Sequence, residues 1–339
     1  MALDLYPRIQ KSLNEKRQNL KEFLASASSE EKEICLCEEE QTVQPHLDVI
    51  DSSLEKINNE TLGICEVCRE AVDTKLLEMD YTACVCLDHF SENEMRRLES
   101  ELELSQVIQR ALLPQHIPNL AGVDLAAFSR PSDIIGGDYF DFFQFRDGTQ
   151  GLVIADVSGH GVSAGMLMTS LQTVLRTMAP ETDSLSELME RINRFYIHNI
   201  NFTTFVTVFL ARFDHKEGTL DYINAGHNPP ILYHKYSGET GWLKPNVPAV
   251  GLAEDFHPRA ASVTLKQGDV LLLYTDGITE SFNLNQEQFG HNRLSDLVRQ
   301  NAHLSAPEMV QAVRERVSAF GGNQPFADDI TLVTLKMTG

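Results

Sequence analysis

The spacing of apolar residues changes about a third of the way along this chain. Before residue 113 they recur every three or four positions among charges, as on one side of a helix. Residues 3 to 24 place Leu5, Ile9, Leu13, Leu20 and Leu24 on one face, and Leu47, Ile50, Leu54 and Ile57 step by three, four and three. The stretch between them, "ASASSEEKEICLCEEEQTVQP", is polar, acidic and closed by Pro45. Two antiparallel helices joined by a loose tip are expected. A third helix is expected over residues 91 to 113, opened by a Ser91/Glu94 capping box and stopped before Pro114. Its stripe of Met95, Leu98, Leu102, Ile108 and Leu112 is interrupted at Ser105. That pattern fits a helix lying on its own domain and equally a coiled coil that makes the chain a homodimer.

From about Val123 the apolar residues gather in short runs: "GLVIADV", "FTTFVTVFLARFD", "TLDYINAGH", "DVLLLYTDG" and "DITLVTLKM". Continuous runs of this length between turn residues predict strands covered on both faces. Helices are expected at Met166 to Met178, at 184 to 197 and at 306 to 320, the last two opened by capping boxes Ser184/Glu187 and Ser305/Glu308. Strands come both in pairs and between helices, without regular alternation, so the fold class is α+β.

Composition narrows the function. Of the 339 residues 42% are hydrophobic and 23% charged, as in soluble globular proteins. No apolar run approaches a membrane span, and the charged N-terminus does not read as an export signal, so a cytoplasmic location without membrane attachment is expected. A formal net charge of −21 opposes attraction to phosphate backbones, which argues against nucleic acid as a partner.

The six cysteines, Cys35, Cys37, Cys65, Cys68, Cys84 and Cys86, all fall in the N-terminal part. Cys65 and Cys68 enclose two residues, and after seventeen more come Cys86, two residues, and His89. Two such pairs of thiolate and imidazole donors suit one tetrahedral Zn²⁺ in a structural site. Cys84 stands close enough to substitute, in a Cys84/Cys86 pair; Cys35 and Cys37 have no evident role. The segment "LEKINNETLGICEVCREAVDTKLLEMDYTACVCLDHF" resembles the DksA/TraR family of zinc-finger proteins, with His89 where that family usually has its last cysteine. Members of that family act on RNA polymerase through acids at a hairpin tip. Here the hairpin is short and its tip lacks the usual aspartate pattern, so a sensory or docking module is favoured.

The second set of candidates is acidic. Asp156 ends an apolar run and enters "SGHG"; Asp276 follows "LLLYT" and precedes Gly277; Asp328 and Asp329 precede the last run; Asp138 follows two glycines. Any one of these is explained by turn chemistry. Together they place carboxylates at the mouths of several apolar strands, which is costly without a counter-charge. All-oxygen donors favour a shared hard cation, Mg²⁺ or Mn²⁺.

The motifs "LLPQHIP", "GGDYFD", "DVSGHGVSAGMLM", "TTFVTVFLARFD", "NAGHNPP", "VPAVGL", "LLLYTDGITE" and "ADDITLV" resemble, in order, those of the SpoIIE/RsbU-like branch of the PPM (type 2C) serine/threonine protein phosphatases. The resemblance implies a PPM-type β-sandwich flanked by helices over residues 114–339, preceded by the helical hairpin with its small zinc finger (1–90) and the linker helix (91–113). It implies two Mn²⁺ or Mg²⁺ ions bridged by Asp156, with the Val157 carbonyl completing the second site. Asp276 and Asp328 would hold the first metal and Asp138 the second, while Asp329 would orient more than ligate and Asp141 would be structural. A metal-bridging hydroxide would then hydrolyse phosphoserine or phosphothreonine on a protein, in such relatives typically a STAS-domain anti-sigma-factor antagonist. His160 and His227 belong to shaped loops, and Ser158 has no relay that would make it a nucleophile. The other readings are a catalytically weak docking protein of the same fold, or a transcription regulator touching RNA polymerase.

Overall fold

A computed structural model describes residues 9–10, 13–14, 17–18, 40–59, 61–72, 85–86, 89, 91–159, 161–199, 205–322, 324 and 326–339. Cys35, Cys37, Cys84, His160 and most of the first helix and hairpin tip lie outside these residues. The chain divides into two compact units, Met1–Ser100 and Glu101–Gly339.

In the first unit helix α1 runs Glu40–Asn58. It begins five residues ahead of Pro45, where the sequence predicted the tip to end. A proline inside a helix forfeits one amide bond and crowds the carbonyl four residues back, so the boundary it suggests is probable rather than obligatory. Leu13, Ile50 and Leu54 are buried together. Gln10 bonds Asn58 while Arg17 pairs with Asp51, so the two segments run in opposite directions, as expected. Helix α2 runs Glu92–Leu112, and its residues from Glu101 onward belong to the second unit. Leu98 and Ile108, assigned from the sequence to its apolar stripe, are exposed.

The second unit continues with β1 (Val123–Arg130), β2 (Tyr139–Gln144), β3 (Gln150–Val157), α3 (Gly161–Met178), α4 (Leu185–Asn199), β4 (Val206–Asp214), β5 (Thr219–Ala225), β6 (Ile231–His234), β7 (Glu239–Trp242), β8 (Ala261–Thr264), β9 (Val270–Tyr274), α5 (Asp276–Thr279), α6 (Gly290–Asn301), α7 (Ala306–Phe320) and β10 (Ile330–Met337). Two five-stranded antiparallel sheets result, ordered β1-β10-β9-β6-β7 and β2-β3-β4-β5-β8.

Period-two alternation assigns each strand face to one of three cores. Val153, Ala155 and Val157 of β3 pack under α3 and α4 with Met168, Leu171, Leu188 and Ile192. Leu152 and Ile154 face the other way, onto Leu271, Leu273, Val333 and Leu335 between the sheets. Leu272, Tyr274, Ile330 and Leu332 lie under α6 and α7 with Leu294, Val298, Val313 and Val317. The outcome is a helix–sheet–sheet–helix sandwich, and strands covered on both faces explain the continuous apolar runs. The Ser305/Glu308 capping box closes reciprocally on α7. At α4 only half forms: Ser184 accepts from Glu187 N, but the Glu187 carboxylate turns to Thr182 and Arg191.

Candidate active site

Alternation also decides where the acids go. Asp156 shares its parity with Leu152 and Ile154, so it extends the inter-sheet face of β3 beyond its apolar part, where it sits opposite Thr207 of β4. The strand runs one residue past it, to Val157, instead of ending at Asp156. By the same count Thr275, two residues after Leu273, and Thr331, two before Val333, continue the inter-sheet faces of their own segments. One end of the seam between the sheets is thus polar: Asp138, Asp156, Thr207, Thr275 and Thr331.

Asp138 is buried and its Oδ2 accepts from the Thr275 hydroxyl at 2.7 Å. Burial, reinforced by Asp156 and Asp329, raises its pKa well above the usual carboxylate range, and the Thr275 and Thr331 hydroxyls offset this only in part. Asp156 is pushed up to about 8, first by burial and then by the charges of Asp276, Asp328, Asp329 and Glu280. Asp276, at the start of α5, is raised by burial and then by Glu280. Acids separated by up to 191 positions therefore sit within electrostatic reach, and Asp138, Asp156 and Asp276 are made harder to ionise by their acidic neighbours. Glu280, at the end of "TDGITE", belongs to this field and was not singled out from the sequence.

Asp329 has a different place. Its Oδ1 accepts from Ser132 N and Oγ at 2.7 and 3.0 Å, and its Oδ2 from Gly137 N at 2.6 Å and Asp138 N at 3.4 Å. Both oxygens are engaged by the loop that carries Asp138. Asp328 is exposed, and its Oδ1 accepts from Asp329 N. The glycines fit around these acids. A Cβ on Gly136 would overlap the Asp329 carboxylate, one on Gly277 would overlap the Asp329 carbonyl, and one on Gly137 would lie 3.1 Å from the Val157 carbonyl.

Behind Asp156, Thr207 Oγ1 reaches the Asp156 carbonyl at 3.3 Å and His227 Nδ1 at 2.9 Å. His227 is fully enclosed; burial lowers its pKa to about 3, which leaves it neutral at physiological pH and unable to serve as a cationic acid. Its ring meets Thr207 through Nδ1. Asp141, on the opposite face of β2, is inaccessible to solvent and takes Arg176 of α3 at 2.6 and 2.5 Å together with the Tyr139 hydroxyl at 2.6 Å. It ties helix to sheet and stands apart from the acid cluster.

In the first unit Cys65, Cys68, Cys86 and His89 bring their ligand atoms within 4.8 Å of one another. Cys68 and Cys86 sulfurs are 3.9 Å apart, far beyond a disulfide and close to the edge of about 3.8 Å that a tetrahedron of 2.3 Å zinc–sulfur bonds requires. The first pair sits on a tight turn: Arg69 N donates to Cys65 O, Val72 N to Gly63 O, and Ile64 bridges Ala71. Gly63 and Arg69 take positive φ, 70° and 63°. Burial opposes the Cys65 thiolate, but the amides of Cys68, Cys86 and Val67 prevail and lower its pKa to about 6. Burial, then the two neighbouring thiols, raises Cys86 to about 12. This donor set, three thiols and an imidazole, is of a kind that could hold a metal ion.

A family model described as Stage II sporulation protein E (SpoIIE) matches residues 146–338. The chain belongs to the SpoIIE family. Phosphoserine phosphatase RsbU of Bacillus subtilis is 27% identical over 242 residues, covering 71% of each chain. Phosphoserine phosphatase RsbP of the same organism is 29% identical over 185 residues, which is 53% of this chain and 45% of RsbP. Among solved structures, the SiaA PP2C domain of Pseudomonas aeruginosa superimposes with a TM-score of 0.63 at 22% identity, covering 71% of this chain and 98% of that one. The RsbU and RsbW domains of Rv1364c from Mycobacterium tuberculosis give 0.57 at 26% identity, covering 67% and 63%. This SpoIIE-family chain therefore has the PP2C-like fold, and it is a phosphatase. Among the described residues no helix is long and apolar enough to cross a membrane.

Proposed function

We propose that residues 114–339 hydrolyse phosphoserine or phosphothreonine on a protein partner with the help of two Mn²⁺ or Mg²⁺ ions. The observation that carries this is the gathering of Asp138, Asp156 and Asp276 at one end of the seam, with Asp328 in their field and the pKa values of the first three all displaced upward. Carboxylates held in that state ionise fully only against cations, and an all-oxygen set selects hard ones. A solved relative, RsbX, is described in complex with magnesium. Asp156 would bridge the ions, with the Val157 carbonyl beside it; Asp276 and Asp328 would hold one and Asp138 the other. Such a pair supplies an activated water and neutralises phosphoryl oxygens.

The chain's own residues provide the frame. Asp329 fixes the Gly137 and Asp138 amides, Thr275 orients Asp138, and Thr207 with neutral His227 supports the Asp156 backbone. No cysteine follows Cys86, so a cysteine nucleophile is unavailable in this part of the chain. The substrate we favour is a phosphorylated STAS-domain antagonist, in keeping with the phosphoserine phosphatases among the relatives. Residues 1–90 would form a Zn²⁺-bearing sensory or docking module, with Cys65, Cys68, Cys86 and His89 as ligands, joined through 91–113.

The test is hydrolysis of an aryl phosphate by the full chain with Mn²⁺, beside Asp156→Asn. Turnover that depends on Mn²⁺ and disappears in the variant is expected. Absence of turnover in the unaltered chain, with Mn²⁺ or Mg²⁺, would favour the docking reading instead.

A further inference from the structure

Helix α2 is unusual in what it turns inward. Leu104, Val107 and Ile108 are 59%, 62% and 53% exposed, whereas the polar Gln109 is 8% exposed. Burying an amide costs free energy unless all its hydrogen-bonding capacity is used well. Here one donor and the acceptor are used on the backbone of a single residue: Gln109 Nε2 donates to Gly136 O at 2.7 Å, and Gly136 N donates to Gln109 Oε1 at 3.1 Å. One turn earlier Gln106 Nε2 donates to Ile134 O at 2.8 Å.

Gly136 is the first residue of "GGD". On its other side stands the Asp329 carboxylate, so close that a Cβ would overlap it. Gly137 and Asp138 donate their amides to that same carboxylate, and Asp138 Oδ2 meets Thr275. Helix α3 closes the third side: a Cβ on Gly165 would overlap Ile135 and lie 3.0 Å from Gln109 Nε2. The backbone before Asp138 is thus held between Gln109 and Asp329, one on each side.

We propose that Gln109 is a positioning residue for metal binding: its two-way grip on the Gly136 backbone, through the N–H and C=O of that residue, sets where Asp138 stands relative to Asp156. The proposal rests on the phosphatase reading above and deepens it, because it makes the affinity for the second cation depend on a residue of α2 that touches neither metal nor substrate. Outer-shell groups that orient ligands typically change metal affinity by about 10- to 100-fold when removed.

The experiment is Mn²⁺ titration of the metal-free full chain by calorimetry, with thermal melting alongside. Gln109→Met keeps the length and approximate volume of the side chain and deletes both hydrogen bonds; Gln109→Ala deletes the packing as well. The expected result is Mn²⁺ binding weakened about tenfold or more in Gln109→Met. In turnover assays the Mn²⁺ concentration for half-maximal rate should rise by a similar factor, with the rate at saturating Mn²⁺ changed far less. Gln106→Ala, which removes one exposed bond to Ile134, should show a smaller shift in the same direction. Gln109→Met that binds Mn²⁺ as the unaltered chain does would overturn the assignment of Gln109 while leaving the phosphatase reading intact. An unaltered chain that binds no Mn²⁺ would sink both. If Gln109→Met melts as a destabilised protein and its maximal rate falls without any change in Mn²⁺ affinity, Gln109 is merely structural and the proposal fails.

Discussion

The two candidate metal centres are built in opposite ways. The cysteine–histidine set draws four soft donors from 25 consecutive residues, on turns with little apolar cover: Cys65 and Val72 are the buried residues of its small cluster. The aspartate set draws hard donors from Asp138 to Asp328, each presented by a strand end or loop anchored in one of three large cores. In the first case the ligands have hardly any other reason to be where they are. In the second the fold puts them there and then bears the cost of keeping like charges together. A cation should therefore act as a folding element in the first unit and as a reagent in the second.

Stripping the cation should show the difference most strongly. Structural zinc contributes on the order of 10 kcal/mol of apparent folding free energy to small domains. A strong chelator, or Cys68→Ser, should abolish amide protection at Cys65, Arg69 and Val72 in hydrogen exchange, while the main melting transition of the second unit stays in place. Asp156→Asn should do the reverse. Turnover should fall by about a thousandfold, equivalent to about 4 kcal/mol on the barrier, with no loss, and even a gain, in the melting temperature of the metal-free protein, since one repelling charge has gone.

Asp141→Asn separates acids that serve chemistry from an acid that serves the fold. It leaves Arg176 without its buried partner and should cost about 3 kcal/mol in urea denaturation, at the low end for a broken buried pair because Arg176 is half exposed. The pH dependence has a definite sign. Asp138, Asp156 and Asp276 have folded pKa values raised above the unfolded carboxylate value, so between about pH 4 and pH 8 the folded state holds more protons than the unfolded one. Metal-free protein should therefore lose stability as pH rises through this window, by up to about 1.4 kcal/mol per unit for Asp156 alone. Saturating Mn²⁺ should flatten or reverse the slope seen by calorimetry. Smallest is Ser305→Ala, which removes the α7 cap and should cost about 1 kcal/mol without affecting turnover.

The contrast also explains what could be seen in the sequence. The Cys65/Cys68 and Cys86/His89 pairs are visible because short spacing alone brings them together. For the aspartates the sequence showed strand ends, but convergence is a property of sheet order, which places β10 beside β9 and β3 in the facing sheet. The motif resemblance supplied that missing step. Strands β7 and β8, with four residues each, were too short to stand out, and α6 buries only Leu294 and Val298, too few to show a period. Gln109 was hidden by the usual rule itself: in a helix with exposed Val107 and Ile108, polarity gives the wrong sign for burial. Thr207, Thr275 and Thr331 look like ordinary strand residues until the alternation is followed past the end of the apolar seam.

Gly277 carries a consequence of its own. The Asp329 carbonyl occupies the space that any side chain at 277 would need, so a substitution there has to move the backbone that carries Asp328 and Asp329. A residue that takes no part in the proposed chemistry thus governs how near the start of α5 can come to the turn before β10.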